Sequence, residues 1–252
     1  MWGSEPPPRS GGRRHGLTVR RIARAAIELA NAEGLDALSM RRVAEHLDVS
    51  TMSLYTYVPG KAELIDVMLD SVYLESPPEP VGATWRERLA AIARHQWDLL
   101  RRHPWMLRLA SSRPPMGPGV LGKYEQELRA VDGLGLTDVE MDALVTLVND
   151  YVGGAARSAV DAVDAVRTSG MGDEEWWAAV GPRLAATIDA ERFPLATRVG
   201  TTTGQAYQAV SDPEHAFAFG LARLLDGVDV LVRSRQSDPV APDSRPDRGG
   251  VA

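Results

Sequence analysis

The chain has 252 residues, of which 44% are hydrophobic and 25% charged, the balance of an ordinary globular protein with room for one large domain or two modest ones. It contains no cysteine, which excludes disulfides and cysteine-ligated metal sites and makes a reducing cytoplasm the simplest compartment. Its net charge of −6 argues against a protein that coats nucleic acid, but the charge is unevenly spread: residues 1–61 carry nine Lys+Arg against six Asp+Glu, and the remainder carries 19 against 28. A basic head on an acidic body fits DNA binding through one end.

Residues 1–16 are rich in proline, glycine and arginine, lack the apolar core of a signal peptide, and read as a disordered tail. Arg13 and Arg14 can serve there as a minor-groove arm, against the plainer reading of a solvated tail. No apolar run is long enough to span a membrane. From Thr18 to Glu33 the pattern is that of an amphipathic helix, with Ile22, Ala26, Leu29 and Ala30 inward, Arg20, Arg21 and Arg24 outward, and Gly34 as its stop.

Two short helices follow. Ser39 caps the first, whose Val43, Ala44 and Leu47 fall at helical spacing; Asp48 and Val49 interrupt it; Ser50 caps the second, Thr51 to Tyr57, which Pro59-Gly60 stops. This is the layout of a helix-turn-helix, whose second helix enters the DNA major groove. Its outer side would present Thr51, Met52, Ser53, Tyr55 and Tyr57 to phosphates, base edges and thymine methyls. Ser39, Arg41 and Arg42 in the first turn of the preceding helix complete the expected contact set. Lys61 joins them: a cation opening a helix opposes the helix dipole, and a nearby phosphate accounts for it. The spacing alone equally describes a helical hairpin with surface hydroxyls.

A longer helix, Lys61 to Leu74, would join this head to the body, and the proline-rich ESPPEPVG marks the boundary. A capping box at Thr84–Glu87 opens a helix to His103, Pro104 breaks it, and a short helix ends before Ser112. Helices are expected over Val120–Val131, from the Thr137–Glu140 capping box to about Arg167, and over Asp173–Asp189 with an interruption at Pro182. Residues 193–209 read as irregular. Asp212-Pro213 opens a last helix to Arg233, in which Phe217, Leu221, Leu224, Val228 and Leu231 repeat like a coiled-coil seam. Residues 235–252 read as a second disordered tail. No segment alternates as a strand, so the expected class is all-α: a three-helix DNA-binding domain over 17–75 and a larger helical domain over 84–234.

Leu17 to Leu74 resembles the DNA-binding domain of the TetR family of bacterial repressors. The match lies in Ala26-Ile27-Glu28-Leu29-Ala30, Glu33-Gly34-Leu35, Leu38 to Ala44, Leu47-Asp48-Val49-Ser50, Leu54 to Val58 and Lys61-Ala62-Glu63-Leu64. Asp48 stands where that family usually has glycine, and aspartate tolerates the left-handed turn. Trp85 to Leu89, Arg102 to Trp105, Ser112 to Pro115, Asp132 to Gly135, Tyr151 to Gly154 and Phe219 to Gly227 resemble the body of its tetracycline-repressor branch.

The resemblance implies a homodimer that binds operator DNA and is released by a small-molecule effector. It does not carry over the metal–drug complex of tetracycline repressors. Leu109 stands near a histidine-ligand position, and His15, His46, His95, His103 and His215 show no metal spacing. No cofactor is expected.

For the effector pocket the candidates are Trp97, Trp105, Met106, Met116, Tyr124, Asn149, Tyr151, Trp176, Trp177 and Phe193, each of which also suits a plain core. Asn149 is the most telling, because an amide in an apolar stretch needs a partner. Gly153, Gly154, Gly220 and Gly227 suggest close helix approach. An enzyme is disfavoured by the lack of a nucleophile elbow or phosphate-cradling loop, and the Asp161–Asp164 pair reads as a solvated face. DNA packaging is disfavoured by the acidic body.

Overall fold

The computed structural model describes residues 16–75, 84–109 and 115–237. Most of both expected tails, with Arg13, Arg14 and His15, lie outside these residues, as do the proline-rich boundary and Ser112 to Pro114. Among the described residues there are ten α-helices, one 3₁₀ turn and no strand.

The head is built from α1 (Val19–Glu33), α2 (Met40–Leu47), α3 (Thr51–Tyr55) and the first part of α4 (Lys61–Leu74). Its boundaries are set by local chemistry. Thr18, Ser39 and Ser50 each accept a hydrogen bond from the backbone N–H three residues on, satisfying an N–H that the helix leaves orphaned. Asp48 adopts the left-handed conformation (φ 54°, ψ 48°), so the turn keeps its shape without glycine. The second motif helix is shorter than the expected Thr51–Tyr57. It ends at Tyr55, because Pro59 disfavours helical geometry at Val58 just before it. Ile22, Val43, Leu54, Val58 and Leu64 are fully buried and form the centre of the head.

The body consists of α5 (Trp85–Arg102), a 3₁₀ turn (Pro104–Arg108), α6 (Pro118–Val131), α7 (Asp138–Ser169), α8 (Asp173–Thr187), α9 (Pro194–Tyr207) and α10 (Pro213–Ser237). Both capping boxes form, at Thr84–Glu87 and Thr137–Glu140. Helix α4 packs on α1 at one end and on α6 along its length, and α7 packs on α5 and α10.

Four expectations need correction. Residues 194–207 are helical: Pro194 occupies the first turn, where its missing N–H costs nothing, and the Thr197, Thr202 and Thr203 hydroxyls bond back to carbonyls four residues earlier. Pro182 lies inside α8 without interrupting it, since Ala178, whose carbonyl loses its donor, is exposed to water. The expected seam of α10 turns inward within its own chain. Phe217, Leu221 and Val228 are buried with Leu225 and Val232 against α7 and α5, whereas Leu224 and Leu231 are only half-buried. A repeat of fours and threes marks any buried helix stripe, and here the stripe serves the core. The same helix runs to Ser237, beyond the expected Arg233.

Candidate DNA-binding face and effector cavity

On the head, the outer side of α3 carries Met52 (75% exposed) and Tyr55 (46% exposed), with Thr51 and Ser53 half-buried beside them. The Ser53 hydroxyl lies 2.8 Å from that of the capping Ser50. Tyr57 falls beyond the helix and packs, half-buried, against the core. The arginine pair divides its labour. Arg41 is 80% exposed, with the Glu45 carboxylate beside it at 3.4 Å. Arg42 instead holds the head together, reaching Glu33 Oε1 at 2.5 Å and the Ala37 carbonyl at 3.3 Å. That hydrogen bond and charge hold the Glu33 carboxyl below its ordinary range. Lys61 Nζ donates to the Leu35 carbonyl at 3.2 Å and stays exposed, at the same end of the head as Asp36. Ser39 is half-buried, its Oγ engaged as the α2 cap.

A cavity of about 900 Å³ opens between α4, α5, the 3₁₀ turn, α6 and α7. Leu69, Leu100, Met106, Met116 and Val145 supply apolar wall. Three of its polar side chains meet at one lysine. Lys123 Nζ lies 2.5 Å from Glu127 Oε1, 3.0 Å from Asn149 Oδ1 and 5.6 Å from the centre of the Tyr73 ring. Gln96 reaches the Tyr73 hydroxyl at 3.4 Å. Tyr124 donates to Asp142 Oδ1 at 2.7 Å, and this bond to its neutral form, with burial, pushes the phenol's pKa up.

Of the ten pocket candidates, the structure brings Met106, Met116, Tyr124 and Asn149 to this cavity. The partner that Asn149 needed is Lys123. The others stand elsewhere. Trp97 stacks on Phe217 at 4.2 Å between ring centres, in the packing of α5 on α10. The Tyr151 hydroxyl lies 2.8 Å from the Phe217 carbonyl, and Gly220 makes room for it: a Cβ at Gly220 would fall 2.3 Å from that hydroxyl. Trp177 packs on Gly204 between α8 and α9, and Phe193 is largely exposed before α9. Trp176 borders a smaller cavity of about 350 Å³ with Val166, Met171 and Val210.

Trp105 has a different task. It is buried, and its indole N–H donates to Asn31 Oδ1 of α1 at 3.0 Å, where His103 Nδ1 also lies at 3.0 Å. Arg108 forks onto Asp36 at 2.7 and 3.1 Å. The 3₁₀ turn thus grips the head with Trp105 and Arg108 and lines the cavity with Met106 and Leu107.

Sequence reasoning missed Asp66, Leu69, Tyr73, Gln96, Lys123 and Glu127 of the lining. Lys123 had a signal: it is one of two lysines in the chain, with a glutamate one turn on. No histidine among the described residues lines the cavity, and no group of three or more metal-ligating side chains occurs among them. The residues present therefore do not fit a metal–drug complex held by histidine.

One further contact ties the cavity wall to the connecting helix. Asp70 of α4, 1% exposed, accepts from the backbone N–H groups of Gly119 at 2.7 Å and Val120 at 3.0 Å, capping the N-terminus of α6. The approach is close enough that a Cβ on Gly119 would fall 2.2 Å from the Asp70 carbonyl oxygen.

Comparison with known proteins agrees with this architecture. Residues 22–68 match the family described as "Bacterial regulatory proteins, tetR family", and residues 77–232 match "Tetracyclin repressor-like, C-terminal domain". The chain belongs to the TetR family. A TetR-family relative, the HTH-type transcriptional repressor DrrR1 of Streptomyces coeruleorubidus, is 41% identical over 240 residues, covering 94% of this chain and 86% of the relative. Apo ActR from Streptomyces coelicolor superposes with a TM-score of 0.71 at 26% identity, covering 86% of this chain and 97% of that one. ActR in complex with actinorhodin gives 0.69 at the same identity and coverage. As a TetR-family member this chain is a helix-turn-helix, DNA-binding transcriptional regulator. Among the described residues no helix is long and apolar enough to cross a membrane.

Proposed function

We propose that this regulator is a homodimeric repressor that leaves its operator when a small organic effector enters the cavity between α4 and α7. The observation that carries this reading is the shared use of α4. Its first turns belong to the head, its Ile65, Asp66, Leu69 and Tyr73 line the cavity, and its Asp70 is fastened to α6. An occupant that displaces α6 or the Met106 turn must therefore also act on the helix that packs against α1 of the head. ActR, whose fold this chain shares, has been seen with actinorhodin bound, which supports an effector of organic type here.

Phosphate contacts from Arg41 and Lys61 would position each head, and Thr51, Met52, Ser53 and Tyr55 would read base edges. Two heads on one operator must stand one helical turn apart, about 34–36 Å. Pairing through α7 and α10 supplies that second head. Leu147 and Val163 on α7 and Phe219 and Val230 on α10 are each more than half exposed in the single chain, and large apolar side chains of this kind favour a partner surface.

The test is selection of bound sequences from a random DNA pool. The expected product is a palindrome with two half-sites, bound by wild type and lost by Val230→Arg, which sediments as a monomer and keeps its helical circular dichroism, with a lower melting temperature because the partner's stabilisation is gone. Recovery of unrelated sequences would contradict a specific repressor, and a monomeric wild type would contradict the dimer.

A further inference from the structure

The charges that line the cavity do not balance. Asp66, Glu127 and Asp150 face it, against Lys123 and Arg157. Lys123 is already engaged by Glu127 and Asn149, and Arg157 donates to the Leu107 carbonyl at 2.6 Å. Among the described residues no hydrogen bond or ion pair satisfies the Asp66 carboxylate. It stands half-buried on α4, next to the lining residues Ala62, Ile65 and Leu69 of the same helix.

Burial, and then repulsion from Glu63 one turn earlier, raise its affinity for a proton above the ordinary aspartate range. A carboxylate held in this way gains most from a cation brought into the cavity from outside. The remaining walls, among them Leu69, Leu100, Met106 and Val145, offer apolar contact to the rest of such a molecule.

We infer that the effector is an amphipathic amine, with an extended apolar body that fills the cavity and a protonated amino group that pairs with Asp66. The inference rests on the reading of this cavity as the effector site. Its consequence is directional: the amine contact is made to α4 itself, so the part of the binding that depends on charge is delivered to the helix that carries the head. A neutral molecule of the same body contacts the apolar walls but lacks this hold.

Monodansylcadaverine, an aromatic sulfonamide with a pendant primary amine, and its N-acetyl derivative provide a matched pair for fluorescence titration of the full chain. Wild type should bind the amine at least tenfold more tightly than the amide. Asp66→Asn, nearly isosteric and breaking no existing pair, should remove that preference while leaving amide binding unchanged. Equal binding of the two dyes by wild type, a preference that survives Asp66→Asn, or failure of both dyes to bind would each overturn the amine assignment. Leu69→Trp, which narrows the cavity beside Asp66, separates the amine from the site. If the dyes bind equally and Leu69→Trp weakens both, the cavity stands as the effector site and only the amine falls.

Discussion

The helix-turn-helix head and the cavity between α4 and α7 are built by opposite strategies. The head is assembled from neighbours in sequence: Ser39, Asp48 and Ser50, all within one short stretch, set where α2 and α3 begin and turn. The cavity is assembled from residues far apart, with Lys123 of α6 reaching Asn149 of α7, and Asp70 of α4 reaching Gly119. The head can therefore keep its shape while the body rearranges, which is what release of DNA by a ligand requires. The joints that must transmit the change are few: Asp70 on α6, Trp105 on Asn31 and Arg108 on Asp36.

The largest expected effect comes from breaking the joint on α6. Asp70→Ala leaves two N–H groups at a buried helix terminus without an acceptor and should cost about 2–4 kcal/mol, read by urea unfolding. Operator affinity should fall as well, because α4 loses its fixed seat on α6. Unchanged stability would show that water satisfies those groups and that the joint is not structural.

A smaller effect separates the two neighbouring arginines. Arg41→Ala should weaken operator binding, reduce the slope of log affinity against log salt by about one, and leave the melting temperature unchanged. Arg42→Ala should do the reverse in stability, since it removes the bonds to Glu33 and Ala37. If Arg42→Ala melts like wild type while Arg41→Ala does not, the division of labour within the pair is wrong.

The smallest effect concerns acid sensitivity in the body. The backbone N–H of Thr137, and then the side chain of Arg235, hold the Glu140 carboxyl below its ordinary range. A carboxyl lowered on folding stabilises the native state above its unfolded value, about 4.3, and loses that contribution as pH falls through the folded value. The advantage of wild type over Glu140→Gln should therefore be constant from pH 6 to pH 8 and shrink below about pH 4. An advantage that grows on acidification would reverse the sign of the linkage. The Glu33–Arg42 pair gives the head an acid limb of the same sign.

The same contrast explains what could be read from the sequence. The helix caps and the left-handed Asp48 were legible because each depends on residues within a few positions. Helix α9 was not, because its threonines and Pro194 resemble a loop until the Trp177–Gly204 packing is known. Aromatic content pointed to Trp97, Trp105 and Trp177 for the pocket, yet large rings were spent on the core, on the grip of the head and on the α8–α9 pair. The cavity wall fell instead to Leu69, Gln96, Lys123 and Glu127, which sequence spacing could not bring together. The inward turn of Leu221 and Val228 was hidden for the same reason: a buried stripe does not say which chain buries it.

Cavity and operator are expected to compete through α4. A compound that raises the melting temperature of the full chain should be titrated with and without saturating operator DNA. Reciprocity requires that operator weaken the compound by the same factor as the compound weakens operator binding, and a hundredfold effect corresponds to about 2.7 kcal/mol of coupling. The expected factors match and lie well above one, and Leu69→Trp, which narrows the cavity, should weaken the compound. Equal affinities with and without operator, for a compound that Leu69→Trp weakens, would contradict this coupling.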